Sequence, residues 1–359
     1  MIHNPHRFVV EFRTPDGRPL GQETVEEVWA AACEWARFAC LRKEGRAVSE
    51  AGSRMEIEPV ADGQSGLPYA SGFRVIVSSG PDRLGQAEFP LTYFSRQALA
   101  ASARLVGKGL LAQGDKLRYR LLAFPVTEPA VRTAPPGLEM DEVEQPLPLK
   151  RSSFAALTAQ ASAFGEETPE DIPIFMPQQV IEEANELTTQ AGAAETGGIL
   201  LGHLHRDESL PDVGVVVTAQ VPARLAEGEL DKLTFTPDTW AAVRAATALR
   251  KSDELMVGWW HSHPAKFWCS PQCPPERRRE CPLTRDFFSE DDQCLHETVF
   301  NRAFQVAMVV THTDDGLKQA LFGWRAGTIR RRGFKILKGD RAFAAVEEQL
   351  GDSHAKACT

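Results

Sequence analysis

No apolar run in this chain approaches the roughly 20 residues that a bilayer-crossing helix needs. The longest candidates, 213–218 and 304–310, have strand length. Neither a membrane span nor a membrane partner is therefore expected. Residues 1–10 lack the charged, apolar and small-residue sections of a secretion signal, so a cytoplasmic protein is expected. A basic excess is missing as well: 49 Asp and Glu stand against 40 Lys and Arg, for a formal charge of −9. That balance argues against nucleic acid as the main partner. No internal repeat is present.

What is there is globular material. The 359 residues suggest two or three domains, taking about 150 residues for each. Apolar residues at 43% and charged residues at 25% supply real cores and exclude wholesale disorder. Cysteines number seven: Cys33 and Cys40 early, Cys358 in the tail, and Cys269, Cys273, Cys281 and Cys294 close together. Without an export signal, that cluster suggests metal ligation before disulfides.

Patterning places strands over 7–12, 55–58, 73–77 and 116–124, with a hairpin turn at Asp16-Gly17. Helices are expected over 23–41, where Val25, Val28, Trp29, Ala32, Cys33 and Ala36 line one face, and over 95–111. This describes a mixed α+β domain over 1–126. Residues 127–150 hold five prolines and five acids with few large apolar side chains, the composition of an extended linker. Globular patterning resumes over 151–329: a short helix over 154–164, strands over 172–175, 197–202, 213–220, 255–263, 304–310 and 319–324, and helices over 177–190, 237–249 and from about 289. Residues 330–359 read as a basic stretch and a terminal helix over 342–350.

The chemistry sits at the end of the 255–263 strand. Residues two apart in a strand point to one face, so His261 and His263 converge on one side of Pro264. A bare pair of this kind is weak; His203 and His205 share the spacing but have no suitable acid and no proline turn after them. The run Ser289-Glu290-Asp291-Asp292 supplies the missing carboxylate. Two imidazoles and one carboxylate leave the fourth position of a tetrahedral zinc open for water, the arrangement of a hydrolytic site. The plainer reading of the same run is a helix start capped by Ser289. The two are compatible, and chemistry alone does not choose among Glu290, Asp291 and Asp292. Glu195, at the mouth of the glycine-rich strand beginning Gly197-Gly198, is placed to take a proton from water without ligating the metal.

Together these residues resemble the JAMM (JAB/MPN+) metalloproteases, whose pattern is a Glu before a glycine-containing strand, then HxHP, then SxxD. Glu195, His261, His263, Pro264, Ser289 and Asp292 fill every position, over about 171–326. The resemblance implies a JAB/MPN, cytidine-deaminase-like α/β fold for this domain, and a deubiquitinase-like enzyme of bacterial type. It implies that His261, His263 and Asp292 hold a catalytic zinc, that Glu195 is the general base and that Ser289 stabilises the tetrahedral intermediate. The implied partners are a ubiquitin-like protein or its conjugates, with cognate conjugation enzymes. Such an activity would suit a bacterial ubiquitin-like conjugation or antiphage defence operon. Alternatives are a hydrolase of small peptides or sulfur-carrier conjugates, and a non-catalytic MPN scaffold.

One departure from the family is the distance of Ser289, 26 residues after His263. It implies a cysteine-rich insertion over about 265–286. Within it Ser270-Pro271-Gln272-Cys273 competes for the SxxD role, with a thiolate in place of the aspartate. Cys269, Cys273, Cys281 and Cys294 would close a second, structural zinc site, or remain free thiols. Trp259 and Trp260 read as core, and Arg277–Arg279 and Arg330–Arg332 as solvated faces. The N-terminal domain reads as folding support or dimerisation, or as a docking surface for the substrate.

Overall fold

The computed structural model describes residues 2–26, 29–45, 48, 52–126, 147–224, 226–228, 232–250, 253–270 and 272–338. The chain divides into two compact units, Met1–Pro146 with Ala326–Thr328, and Leu147–Arg325 with Ile329–Thr359. The expected linker and the expected terminal helix over 342–350 fall outside the described residues, except for 147–150. Leu149 and Lys150, assigned to that linker by composition, instead open a strand, because they find partners in Leu204 and His205.

The N-terminal unit is a mixed sheet covered by helices. Its elements are β1 (Ile2–His3), β2 (His6–Arg13), β3 (Pro19–Thr24), α1 (Ala30–Glu44), β4 (Arg54–Ala61), β5 (Tyr69–Ser79), β6 (Asp82–Pro90), α2 (Ser95–Gly107) and β7 (Arg118–Pro125). The strand order is β1-β4-β5-β7-β2-β3, with β6 also on β5. The helix expected from residue 23 begins at Ala30, since Glu23 and Thr24 pair with Val10 and Val9 and complete the β2–β3 hairpin. Trp29, Ala32, Cys33, Ala36 and Cys40 do share one face, and with Phe8, Phe12 and Phe73 they form the core. Strand β6 was not legible because its residues are mostly polar and partly exposed.

The C-terminal unit comprises β8 (Leu149–Ser152), α3 (Phe154–Ala159), β9 (Ala161–Phe164), β10 (Ile174–Pro177), α4 (Gln178–Ala191), β11 (Gly197–Asp207), β12 (Val213–Pro222), β13 (Glu227–Gly228), β14 (Leu233–Thr234), α5 (Pro237–Arg250), β15 (Leu255–His263), α6 (Ala265–Trp268), α7 (Pro275–Glu280), α8 (Glu290–Val299), β16 (Val306–Thr313), β17 (Gly316–Arg325), β18 (Thr328–Arg332) and β19 (Phe334–Leu337). Its large sheet runs β18-β17-β16-β15-β11-β12-β10-β19-β9, with β8 also on β11. Strands β11, β15 and β16 are central and buried along almost their whole length, so they read as apolar runs rather than alternations. Ile199, Leu201, Val243, Trp259, Phe300 and Ala307 form one core cluster on this sheet.

Two expectations need correction. The helix over 154–164 stops at Ala159, and Ala161–Phe164 become β9 against β19. The unit also does not end at 329. Arg330–Arg332 lie in β18, an edge strand where charged side chains are at home, and β19 returns to pair with β10. Arg332 is buried and its guanidinium donates to the Ile172 carbonyl.

Two pairings position the site. β15 runs antiparallel to β11 with His261 opposite Gly197, so the end of β15 lies beside the residues that precede β11. β15 is parallel to β16, which obliges a long crossover. Residues 264–305 are that crossover and carry α6, α7 and α8. Residues added there would lengthen a connection without disturbing the sheet.

Candidate active site

His261 and His263 are 1% and 2% exposed at the end of β15, with ring centroids 4.8 Å apart. Their Nε2 atoms face each other at 3.0 Å. Asp292 reaches both, with Oδ1 3.1 Å from His261 Nε2 and Oδ2 3.6 Å from His263 Nε2. Among the described residues, these three form the group of His, Cys, Asp or Glu whose ligand atoms all lie within 4.8 Å of one another. The choice left open among the three acids therefore falls on Asp292. The capping reading holds: Ser289 Oγ accepts from Asp292 N at 3.0 Å while Asp292 Oδ2 accepts from Ser289 N at 2.8 Å, and the same carboxylate meets both histidines. The cap is what aims the carboxylate.

The electrostatics follow from this crowding. Burial opposes charge on His261, but Asp292 and, more weakly, Glu195 outweigh it and raise its pKa. Burial and the neighbouring His261 lower that of His263 against the pull of Asp292. Burial alone would raise Asp292; the charge and hydrogen bond of His261, with help from His263 and Ser289 N, drive it far below the ordinary carboxylate range. Two imidazole nitrogens and an ionised carboxylate converging on one point are a fitting donor set for zinc.

Glu195 is 7% exposed. The backbone beside it is clamped to the histidine strand, since Ser262 N donates to Thr196 O at 2.8 Å and Thr196 N donates to Ser262 Oγ at 3.0 Å. Space is also tight: a Cβ on Gly228 would stand 2.0 Å from the Glu195 carbonyl oxygen, and one on Gly197 would stand 2.4 Å from the Trp260 carbonyl. Glycine is needed at both for close backbone approach.

Residues 177–266 match the family of prokaryotic homologs of the JAB domain. The C-terminal half carries a JAB domain. The matched residues include Glu195, His261 and His263; Ser289 and Asp292 lie beyond them, in the crossover after β15. No curated protein matches the chain. Among solved structures, the solution structure of protein DSY2949 from Desulfitobacterium hafniense is similar at 19% identity, covering 46% of this chain and 94% of that chain, with a TM-score of 0.30. Among the described residues no helix is long and apolar enough to cross a membrane.

The JAB domain does not gather Cys273 with the histidines. Ser270 is exposed and bonds instead to Gln272. Of the four clustered cysteines, Cys269, Cys273 and Cys281 are half-buried and Cys294 is exposed on α8. His203 and His205 lie toward the far end of β11, where Lys150 Nζ is 2.9 Å from His203 Nε2 and Ser152 Oγ 3.1 Å from His205 Nδ1. Arg278 and Arg279 pair with Asp314 and Asp315 of the same chain. Trp259 and Trp260 are both core.

Only part of the aromatic surroundings of the histidines is legible in the sequence. The Trp259 indole stacks on His261 at 4.6 Å and donates to His296 Nδ1 at 3.1 Å. Phe287 stacks on His263 at 4.5 Å, and Trp268 leans on it at 5.3 Å. Neither Nδ1 of the pair has a side-chain or backbone partner among the described residues. The contacts that orient the rings among the described residues are this stacking and the Nε2 contacts to Asp292 and to each other. Period-2 spacing put Trp259 on the face of His261, but Phe287 and Trp268 reach His263 only through the crossover.

Proposed function

We propose that the JAB domain is a zinc-dependent isopeptidase or peptidase that cleaves after the C-terminus of a ubiquitin-like modifier, either deconjugating it or maturing its precursor. The observation that carries this reading is the convergence of His261 Nε2, His263 Nε2 and the Asp292 carboxylate beside Glu195. His261, His263 and Asp292 would hold the ion. Zinc there would supply Lewis acidity toward the scissile carbonyl and make water acidic near neutral pH.

The remaining steps belong to the chain. The Glu195 carboxylate accepts the proton of the attacking water and returns it to the departing amine, so no net proton is consumed at the enzyme. Ser289 Oγ already accepts from Asp292 N, which leaves its own O–H free to donate to the oxyanion of the tetrahedral intermediate. The Thr196–Ser262 clamp holds Glu195 against movement. The modifier's flexible tail would lie along a sheet edge as an added strand. The N-terminal unit would dock the modifier or its conjugate, and the setting would be a bacterial conjugation or antiphage defence operon.

The test uses the full chain with ubiquitin-like fusions bearing a C-terminal extension. Glu195→Gln is expected to keep zinc and to lose turnover by about 100-fold or more. Near-wild-type turnover would remove Glu195 from the mechanism. Equal turnover of short peptides without a folded modifier would replace the proposed substrate class by small peptides.

A further inference from the structure

Helix α8 carries a second polar side chain on the face that bears Asp292. His296 follows four residues later, the spacing that puts two side chains on one side of a helix. On β15, Trp259 and His261 share a face by the period of two. The two elements therefore meet in two rungs: Asp292 Oδ1 lies 3.1 Å from His261 Nε2, and Trp259 Nε1 donates to His296 Nδ1 at 3.1 Å. The first rung belongs to the site already described, and the second has no part in its chemistry.

The second rung is set in an aromatic core. His296 and Trp259 are 0% and 1% exposed, and the ring centroids of Phe288, Phe300 and Trp324 lie 6.0, 6.0 and 5.5 Å from that of His296. Accepting at Nδ1 puts the ring proton on Nε2, where the Gln305 carbonyl draws on it without the geometry of a full hydrogen bond. Burial lowers the His296 pKa to about 3, so the ring stays neutral and Nδ1 stays an acceptor. A half-satisfied imidazole in such surroundings adds little stability, since an apolar pair of the same shape would cost almost nothing in its place. What it adds is direction. The rings of Phe300 and His261 both lie nearly parallel to the Trp259 indole, at 17° and 14°, so stacking sets the plane of the indole. Stacking leaves rotation within that plane open. The bond to His296 closes it and ties the indole to the helix turn that follows Asp292.

We propose that His296 is a positioning residue: through its bond to Trp259 it fixes how α8 registers on β15, and thereby where Asp292 and the His261 ring meet. It touches neither the ion nor the substrate. Its effect on zinc affinity rests on His261, His263 and Asp292 being the zinc ligands; its effect on the His261 ring holds in the metal-free chain as well.

The test compares the unaltered full chain with His296→Leu, which removes the acceptor and keeps apolar volume, and His296→Asn, whose Oδ1 stands where Nδ1 stood. In metal-free protein, nuclear magnetic resonance reads the Trp259 indole N–H and the His261 ring, the indole assigned through Trp259→Phe. His296→Leu is expected to move both signals, and His296→Asn to leave them near their places. Zinc affinity, read by chelator competition, should fall roughly 10-fold in His296→Leu and much less in His296→Asn. His296→Asn should nevertheless be the less stable of the two in urea, because it leaves a cavity where the ring was. A role confined to packing predicts the opposite order, with affinity following stability. Unmoved His261 signals in His296→Leu, equal effects of the two variants, or affinity that follows the urea midpoint would overturn the proposal. So would nitrogen shifts that place the His296 proton on Nδ1 in the unaltered chain, a reading that needs no variant. An unaltered chain that binds no zinc at His261, His263 and Asp292 would strike the proposed function instead, and the His261 ring signals would then decide the role of His296 alone.

Discussion

At the scale of single residues, two kinds of support hold the site, backbone clearance around Glu195 and ring stacking around the histidines. The first predicts that Gly228→Ala, whose Cβ would meet the Glu195 carbonyl at 2.0 Å, displaces Glu195 and lowers turnover while zinc content is unchanged. Metal loss in that variant would show that the clash spreads beyond Glu195. The second predicts that Phe287→Leu, which removes the ring stacked on His263, weakens zinc binding by roughly 10-fold. Competition with a chromogenic chelator measures it, and an unchanged affinity would leave the ring no part in orienting His263.

At the scale of elements, the start of α8 serves stability and chemistry at once. Ser289→Ala removes the side-chain acceptor of the cap, which should cost about 1 kcal/mol in chemical denaturation, and it should also weaken zinc binding, because Asp292 N loses its partner and the turn that carries the carboxylate loosens, although Ser289 N still donates to Asp292 Oδ2. A stability loss with zinc affinity intact would separate the two roles. The β8–β11 pair carries a different test. Burial first, then the charge of Lys150, lowers the His203 pKa to about 4, and burial with His203 and Lys150 lowers that of His205 to about 3. Glu254 and Asp253 pull His203 the other way without prevailing. Both pKa values lie below the ordinary 6.5, so in the acid range the unfolded chain binds more protons than the folded one. The stabilisation is complete above pH 6.5 and is lost as the pH falls through about 4 and 3. The urea midpoint should therefore drop between neutral pH and about pH 5, and His203→Gln/His205→Gln should drop less. Equal drops would place the acid sensitivity elsewhere.

At the scale of the whole molecule, the two units close separate cores, one around Phe8, Trp29 and Phe73 and another around Ile199, Trp259 and Phe300. A metal that binds only the folded form stabilises it by mass action, by about 2.7 kcal/mol at a free concentration 100 times Kd. Chelation is accordingly expected to speed hydrogen exchange in β15 and α8 and to leave β2 and β5 unchanged; faster exchange in β2 would refute that separation. The candidate site was largely legible in the sequence because its order along the chain is unusual. His261 and His263 share a strand face by period alone, Pro264 ends that strand, and Ser289 to Asp292 cap a helix by local chemistry. Glu195, too, announces itself before a glycine-rich strand. The sequence by itself therefore determined mixed α and β structure, a JAB domain in the C-terminal half and the order of the candidate site residues. Pairing decided the rest. Residues 23–24 and 161–164 are strands only because distant partners meet them, and a helix pattern read locally has no access to those partners. The same holds for the choice of Asp292 over Cys273 and the stacking of Phe287 on His263. Each depends on where a crossover of more than forty residues folds back, which long-range packing sets and local periodicity does not.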